Sequence, residues 1–129
     1  VQYVNGLSTA QATLHDCNGE DRVKWRLFEG MAFGCVMISD HTRLLDWLGY
    51  RPWEHYLPCK DVIGDTREKE LGPDKEEVAS LLRWIHMYPK DARRIAENGK
   101  QHTLTFHTYA HRVLQILSDF QQLPTRRGA

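Results

Sequence analysis

Val23-Lys24-Trp25-Arg26-Leu27-Phe28-Glu29-Gly30-Met31-Ala32-Phe33-Gly34-Cys35-Val36-Met37-Ile38-Ser39-Asp40 is the stretch that decides the fold class. Val23, Leu27 and Met31, with Phe28 and Ala32 beside them, recur at helical spacing, which predicts a helix over Val23–Phe33. Gly34 is the residue type that ends a helix in a left-handed turn. Cys35-Val36-Met37-Ile38 follows as a short apolar run, bounded by Ser39-Asp40, and fits a strand buried on both faces. Helix, glycine turn and buried strand together predict an α/β layer with short parallel strands.

Upstream, Val1 to Gly6 carries β-branched and aromatic residues before a turn-prone Asn5-Gly6, so it reads as strand-like. Ser8 is placed to cap a helical turn through Ala12, Ala12 to Cys17 reads as a short strand, and Cys17-Asn18-Gly19 as a turn. Downstream, Thr42 to Leu48 reads as a short helix closed by Gly49. Glu54 to Leu57 reads as a strand between Pro52 and Pro58, and Asp61 to Pro73 as a charged surface loop. The rest is helical. Asp74 caps a helix whose inner face is Val78, Leu81, Leu82 and Ile85, with Trp84 beside them. Pro89 opens the next at a permitted first-turn position, with Ala92, Ile95, Ala96 and Leu104 apolar and Gly99 a weak point costing about 1 kcal/mol relative to Ala. Thr108 or His107 opens the last, with Tyr109, Val113, Ile116, Leu117 and Phe120 apolar. One partial domain over 1–123 is expected: an α/β part (1–65), a helical part (74–122) and a loose tail from 124 to 129.

Composition narrows function. The 129 residues hold 17 Lys+Arg and 17 Asp+Glu, a formal net charge of zero, which argues against a general nucleic-acid binder. No apolar run approaches the roughly 20 residues that span a bilayer. The chain begins with Val, which reads as a fragment or processed piece, and leaves the compartment open. Cys17, Cys35 and Cys59 are odd in number and widely spaced, so reduced, buried thiols are expected.

Arg22, Lys24 and Arg26 stand at the first turns of the Val23–Phe33 helix, where exposed backbone N–H groups and the helix dipole already favour negative charge. Cations there make sense around an anion such as a diphosphate; the alternative is a solvated basic turn with an Arg26–Glu29 ion pair three residues apart. Gly30 and Gly34 suit close packing on a strand, and Gly30 would also admit a ligand to the backbone. His107 and His111, four apart, have metal-ligand spacing but no supporting third ligand, so a packed or capping pair is expected and no metal site. The carboxylates Asp61, Asp65, Glu68, Glu70 and Asp74 alternate with Lys60, Arg67, Lys69 and Lys75, as on a solvated loop. Trp53, His55 and Tyr56 suit either the edge of a sugar or base pocket or packing under a loop.

Arg26-x-Phe28-Glu29-Gly30-Met31-Ala32-Phe33-Gly34-Cys35, the apolar strand and Ser39-Asp40 resemble the nucleotide-binding motif in the C-terminal domain of GT-B glycosyltransferases. Pro89 to Lys100, followed by His107-Thr108-Tyr109-x-His111-Arg112, is similar to the terminal helices of CgeB-like, group-1-related members. Arg51-Pro52-Trp53-Glu54-His55-Tyr56-Leu57-Pro58 instead resembles the CAP10-type protein O-glycosyltransferases. The resemblance covers most of 12–120. It implies a Rossmann-like half that binds a nucleotide-diphosphate sugar without a further cofactor: Arg26, helped by Lys24, on the diphosphate, and Glu29 on the ribose or sugar. Asp21 stands where many members carry a second acid, here Asp rather than Glu. A GT-B enzyme has two such domains with the active site between them. The fragment alone is therefore expected to be inactive, with its acceptor domain and base supplied elsewhere and its sheet edge open to association, including with its own copies. A cytoplasmic location is favoured, a secretory lumen if the CAP10 likeness governs. The rival expectation is a non-enzymatic interaction module.

Overall fold

The computed structural model describes residues 2–16, 23–62 and 72–124. A three-stranded parallel sheet runs in sequence order: β1 (Ala12–His15), β2 (Val36–Asp40) and β3 (Leu57–Cys59). Ahead of it lies α1 (Gln2–Thr9). Between the strands lie α2 (Trp25–Ala32) and α3 (Arg43–Trp47), and the helical half comprises α4 (Lys75–Met87), α5 (Pro89–Phe106) and α6 (Tyr109–Gln122). The mixed α/β architecture is that of a partial Rossmann-like domain with a helical C-terminal half.

β2 is central and buried at all five residues, which is why its sequence reads apolar without alternation. Val36 and Ile38 point to one face, where Leu57, Cys59, Leu81, Ile85, Ala92, Ile95 and Ala96 complete a core. Met37 points to the other, among Leu27, Met31, Leu45, Tyr50 and Tyr56. Ser39 and Asp40, expected to bound the strand, belong to it, because both pair with β3.

Two glycines turn the chain at the same motif. Gly34 (φ +80°) and Gly49 (φ +85°) each follow a helix in the left-handed conformation. The Gly34 and Cys35 N–H groups donate to Met31 and Gly30, and the Gly49 and Tyr50 N–H groups to Asp46 and Leu45. This paired bonding satisfies the last carbonyls of each helix and drops Cys35 and Tyr50 into the interior. The Thr42 side chain accepts from the Leu45 N–H at the start of α3, and Asp74 accepts from Glu76 and Glu77 at the start of α4.

The structure corrects several expectations. The opening is not strand-like: Gln2–Thr9 is helical, with Leu7 its one buried residue and its Ser8 and Thr9 hydroxyls bonding back to the Asn5 carbonyl. Two β-branched residues do not outweigh that tertiary anchor. The strand expected at Glu54–Leu57 lies instead at Leu57–Cys59. Residues 53–55 form a turn closed by Trp53 N–H to Tyr56 O at 2.7 Å, with Trp53 at φ +63°. Pro58 sits within β3, which is tolerated because β3 pairs with β2 alone. The ends of the Asp61–Pro73 loop form an antiparallel pair, β4 (Asp61–Val62) with β5 (Gly72–Pro73). Residues 63–71 between them, residues 17–22 with the turn expected at Cys17-Asn18-Gly19, and residues 125–129 lie outside the described residues. Leu82 and Leu104, expected inside, are exposed.

Gly99 is not a simple weak point either. A Cβ built there would stand 2.7 Å from the His55 carbonyl oxygen, so α5 needs glycine to cross the 53–55 turn. Thr103, one turn on, is buried and bonds Tyr50 Oη at 2.8 Å and the Gly99 carbonyl.

Candidate functional site

The parallel strands deliver their C-terminal residues to one edge of the sheet, the edge where ligands bind in such folds. β1 ends at His15 and β2 at Asp40, and α2 starts from the same edge. His15 is 1% exposed. Its Nε2 accepts the Lys24 backbone N–H at 3.0 Å, so Nδ1 carries the proton and donates to Ser39 Oγ at 2.9 Å. Ser39 in turn donates to the Asp40 carbonyl at 3.0 Å. Burial pushes the His15 pKa down to about 4, with Asp40 acting against it and Lys24 with it. A neutral imidazole thus ties β1, β2 and the residue preceding α2 together. Nothing in the sequence reading marked His15, because a single histidine at a strand end carries no spacing signal.

Lys24 is the N-cap residue of α2 and contributes no side-chain cap, and its carbonyl accepts the Leu27 N–H at 3.1 Å. Arg26 is exposed on its first turn. Glu29, one turn further, accepts a hydrogen bond from Tyr3 Oη at 2.6 Å. That bond and partial burial raise the Tyr3 pKa, while the Arg26 guanidinium beside the same hydroxyl opposes them. Arg26 and Glu29 are therefore brought to one place, with Tyr3 of α1 between them. Tyr3 was legible only as a generic aromatic. Gly30 packs on the sheet: a Cβ there would meet Thr13 Cγ2 at 2.6 Å and Met37 Cε at 2.8 Å. Side chains from β1 and β2 thus occupy the space through which a ligand would reach its backbone. Asp21 and Arg22 lie outside the described residues.

Glu29 also faces a groove of about 520 Å³ between α2 and the α5–α6 corner. Trp25 and Tyr109 stand at it, 70% and 78% exposed. Phe28 and His107, their rings 5.7 Å apart, form its closed side. Arg112 projects from the first turn of α6. Its guanidinium is held by His107 Nδ1 at 2.6 Å and the Phe106 carbonyl at 3.4 Å.

The histidines of the last motif divide by role. His111 closes a capping box with Thr108, accepting the Thr108 N–H through Nδ1. His107 receives Arg112 on Nδ1, so its proton sits on Nε2 and donates to the Leu48 carbonyl at 2.8 Å. Burial lowers the His107 pKa. The two imidazoles thus serve different neighbours rather than one shared centre, and no group of three or more metal-ligating side chains occurs among the described residues. Trp53, His55 and Tyr56 likewise diverge. Trp53 meets Trp84 edge-on, His55 packs on His102, and the buried Tyr56 bonds His41 at 2.6 Å. Cys35 and Cys59 are buried, the Cys35 thiol donating to the Leu7 carbonyl at 3.3 Å, and burial raises the Cys35 pKa. Among the described residues no helix is long and apolar enough to cross a membrane.

A family model described as glycosyl transferase-like matches residues 1–118. No curated protein and no solved structure matches the chain. The matched span takes in the sheet, the α2 motif with Arg26 and Glu29, and the α6 turn that carries Arg112, so the chain belongs to the glycosyl transferase-like family.

Proposed function

We propose that this chain forms the donor-binding part of a glycosyltransferase of GT-B type, holding a nucleotide-diphosphate sugar. The observation that carries the reading is the start of α2. The helix N-terminus, Lys24 and Arg26 lie at the carboxyl edge of a parallel sheet, in a chain of glycosyl transferase-like family. Transfer breaks the bond between the sugar C1 and the diphosphate oxygen and forms one from C1 to the acceptor, whose proton passes to a base. Negative charge gathers on the departing diphosphate, and fixed cations with aligned N–H groups stabilise it. Arg26 and Lys24 fill that role. Glu29 accepts hydroxyl groups of the ribose or sugar, as it accepts that of Tyr3, and Gly30 acts by letting α2 sit close on the sheet. Asp21 stays with the donor by resemblance alone. The acceptor domain and the base belong to another part of the protein or another chain. The terminal helices favour the CgeB-like branch over the CAP10-like one, whose motif here forms a packed turn.

The test is calorimetric titration with UDP, GDP and ADP of the wild type and of Arg26→Ala. One nucleotide should bind, and the substitution should weaken it at least tenfold. No binding by the folded wild type would sink the reading for this chain. An interaction module is the second reading, favoured by one feature: Val113, Ile116, Leu117 and Phe120 form an apolar stripe along α6, more than half exposed. That reading expects no nucleotide binding.

A further inference from the structure

α6 buries none of its 14 residues. Isolated helices of about 12–15 residues are marginal in water, and most helical stability in proteins comes from covering an apolar face. α6 carries such a face. Tyr109, Val113, Ile116 and Phe120, with Leu123 at the C-terminal cap, follow one another at intervals of four, three, four and three residues, and each is at least 55% exposed. That is the 3.5-residue spacing of a seam between two paired helices. Leu117 borders the seam on one side. Arg112 and Asp119, seven residues apart, border it on the other, and neither forms an ion pair among the described residues. The contacts of Arg112 with His107 and the Phe106 carbonyl orient its guanidinium without cancelling its charge.

The flanking charges identify the second helix. In an antiparallel pair related by a twofold axis, Val113 of one copy packs on Ile116 of the other, and Arg112 of each stands beside Asp119 of the other. A parallel pair would set Arg112 beside Leu117 and Asp119 beside Pro124, leaving both charges without partners. The seam thus suits a helix that runs antiparallel and has its own base and acid seven residues apart. α6 itself is such a helix. We propose that α6 docks on a second copy of this chain, the two helices antiparallel, with Val113, Ile116 and Phe120 forming the seam and two Arg112–Asp119 pairs beside it. The proposal does not depend on the donor-binding reading, because no nucleotide enters it.

The test is analytical ultracentrifugation of the chain over a range of micromolar concentrations, with thermal melting of every variant as a fold check. The wild type should approach twice its 15.1 kDa chain mass as concentration rises. Ile116→Glu should be monomeric throughout. Leu114→Glu, equally exposed but off the seam, should dimerise like the wild type. Asp119→Arg should weaken association at least tenfold, because two attractive pairs become two repulsive ones, and adding Arg112→Glu to it should restore most of the loss. A wild type that stays at 15.1 kDa at every concentration would overturn the proposal and leave the seam to a different protein segment. A dimer that survives Ile116→Glu, or that Leu114→Glu disrupts as severely, would place the interface elsewhere. Failure of the charge exchange to rescue Asp119→Arg, in a variant that melts like the wild type, would refute the antiparallel pairing.

Discussion

Replacing Gly99 by Ala sets helix propensity against packing, and the two predict opposite signs. Gly99 lies deep within α5, an 18-residue helix. Propensity alone makes Gly→Ala there favourable by about 1 kcal/mol. The structure puts the new methyl 2.7 Å from the His55 carbonyl oxygen, with Met31 Sδ at 3.5 Å and Cγ at 3.6 Å. Met31 can shift its thioether; the carbonyl belongs to a turn fixed by the His55 N–H to Arg51 O bond and by the Arg51 N–H to His55 Nδ1 bond at 2.9 Å. Forcing a methyl into such a contact costs about 1–3 kcal/mol. Packing therefore outweighs propensity, and the net expectation is a loss of up to about 2 kcal/mol. Gly6→Ala is the matched control: Gly6 is also helical, and nothing lies within 4 Å of its added Cβ. It should gain up to about 1 kcal/mol. Urea unfolding followed by circular dichroism measures both midpoints, and an unchanged slope confirms that stability alone moved. Gly99→Ala at or above wild-type stability would refute the claim that the 53–55 turn is why α5 carries glycine.

The His15 latch has a pH signature. Its folded pKa, about 4, lies below the ordinary value near 6.5, so the unfolded chain takes up a proton that the native state refuses. The stabilisation is complete above pH 6.5 and is lost as pH falls from there through 4. Between pH 7.5 and 5 the loss is about 2 kcal/mol. His15→Gln should remove that part of the pH slope in denaturant titrations at the two pH values; an identical slope would show that His15 is not held neutral. Gly49→Ala should be costlier than Gly34→Ala. Both force Ala into positive φ, at about 1–2 kcal/mol each, but the Gly49 methyl also meets His102 Cε1 at 2.9 Å while the Gly34 methyl meets only Lys100 Cδ at 3.8 Å. Equal midpoints for the two variants would contradict this ordering.

The α2–β2 unit was readable because its signals are local. Apolar spacing, a glycine in a left-handed turn and an unbroken apolar run all act within a few residues, and the chain between Val23 and Asp40 obeys them. The caps at Thr42, Asp74 and Thr108 were readable or nearly so, since a cap is a contact between residues two or three apart. The strand near Pro58 was misplaced because its position follows from register with Ser39 on β2, a contact across 19 residues of sequence that no local pattern encodes. α1 was misread for a similar reason: the burial of one leucine outweighed a weak local preference.

Sequence by itself determined the fold class and the residues Lys24, Arg26 and Glu29 as a charged group at a helix start, because helix periodicity and end effects are properties of neighbouring residues. Tertiary structure alone decided which groups meet that start. His15 reaches Lys24 and Ser39 because parallel strands align their ends, Tyr3 of α1 meets Glu29 of α2 across 26 residues of sequence, and Arg112 enters the α2 groove because the α5–α6 corner carries it there. Each joins residues distant in the chain, and only the burial of shared apolar surface by the packed elements selects such a meeting.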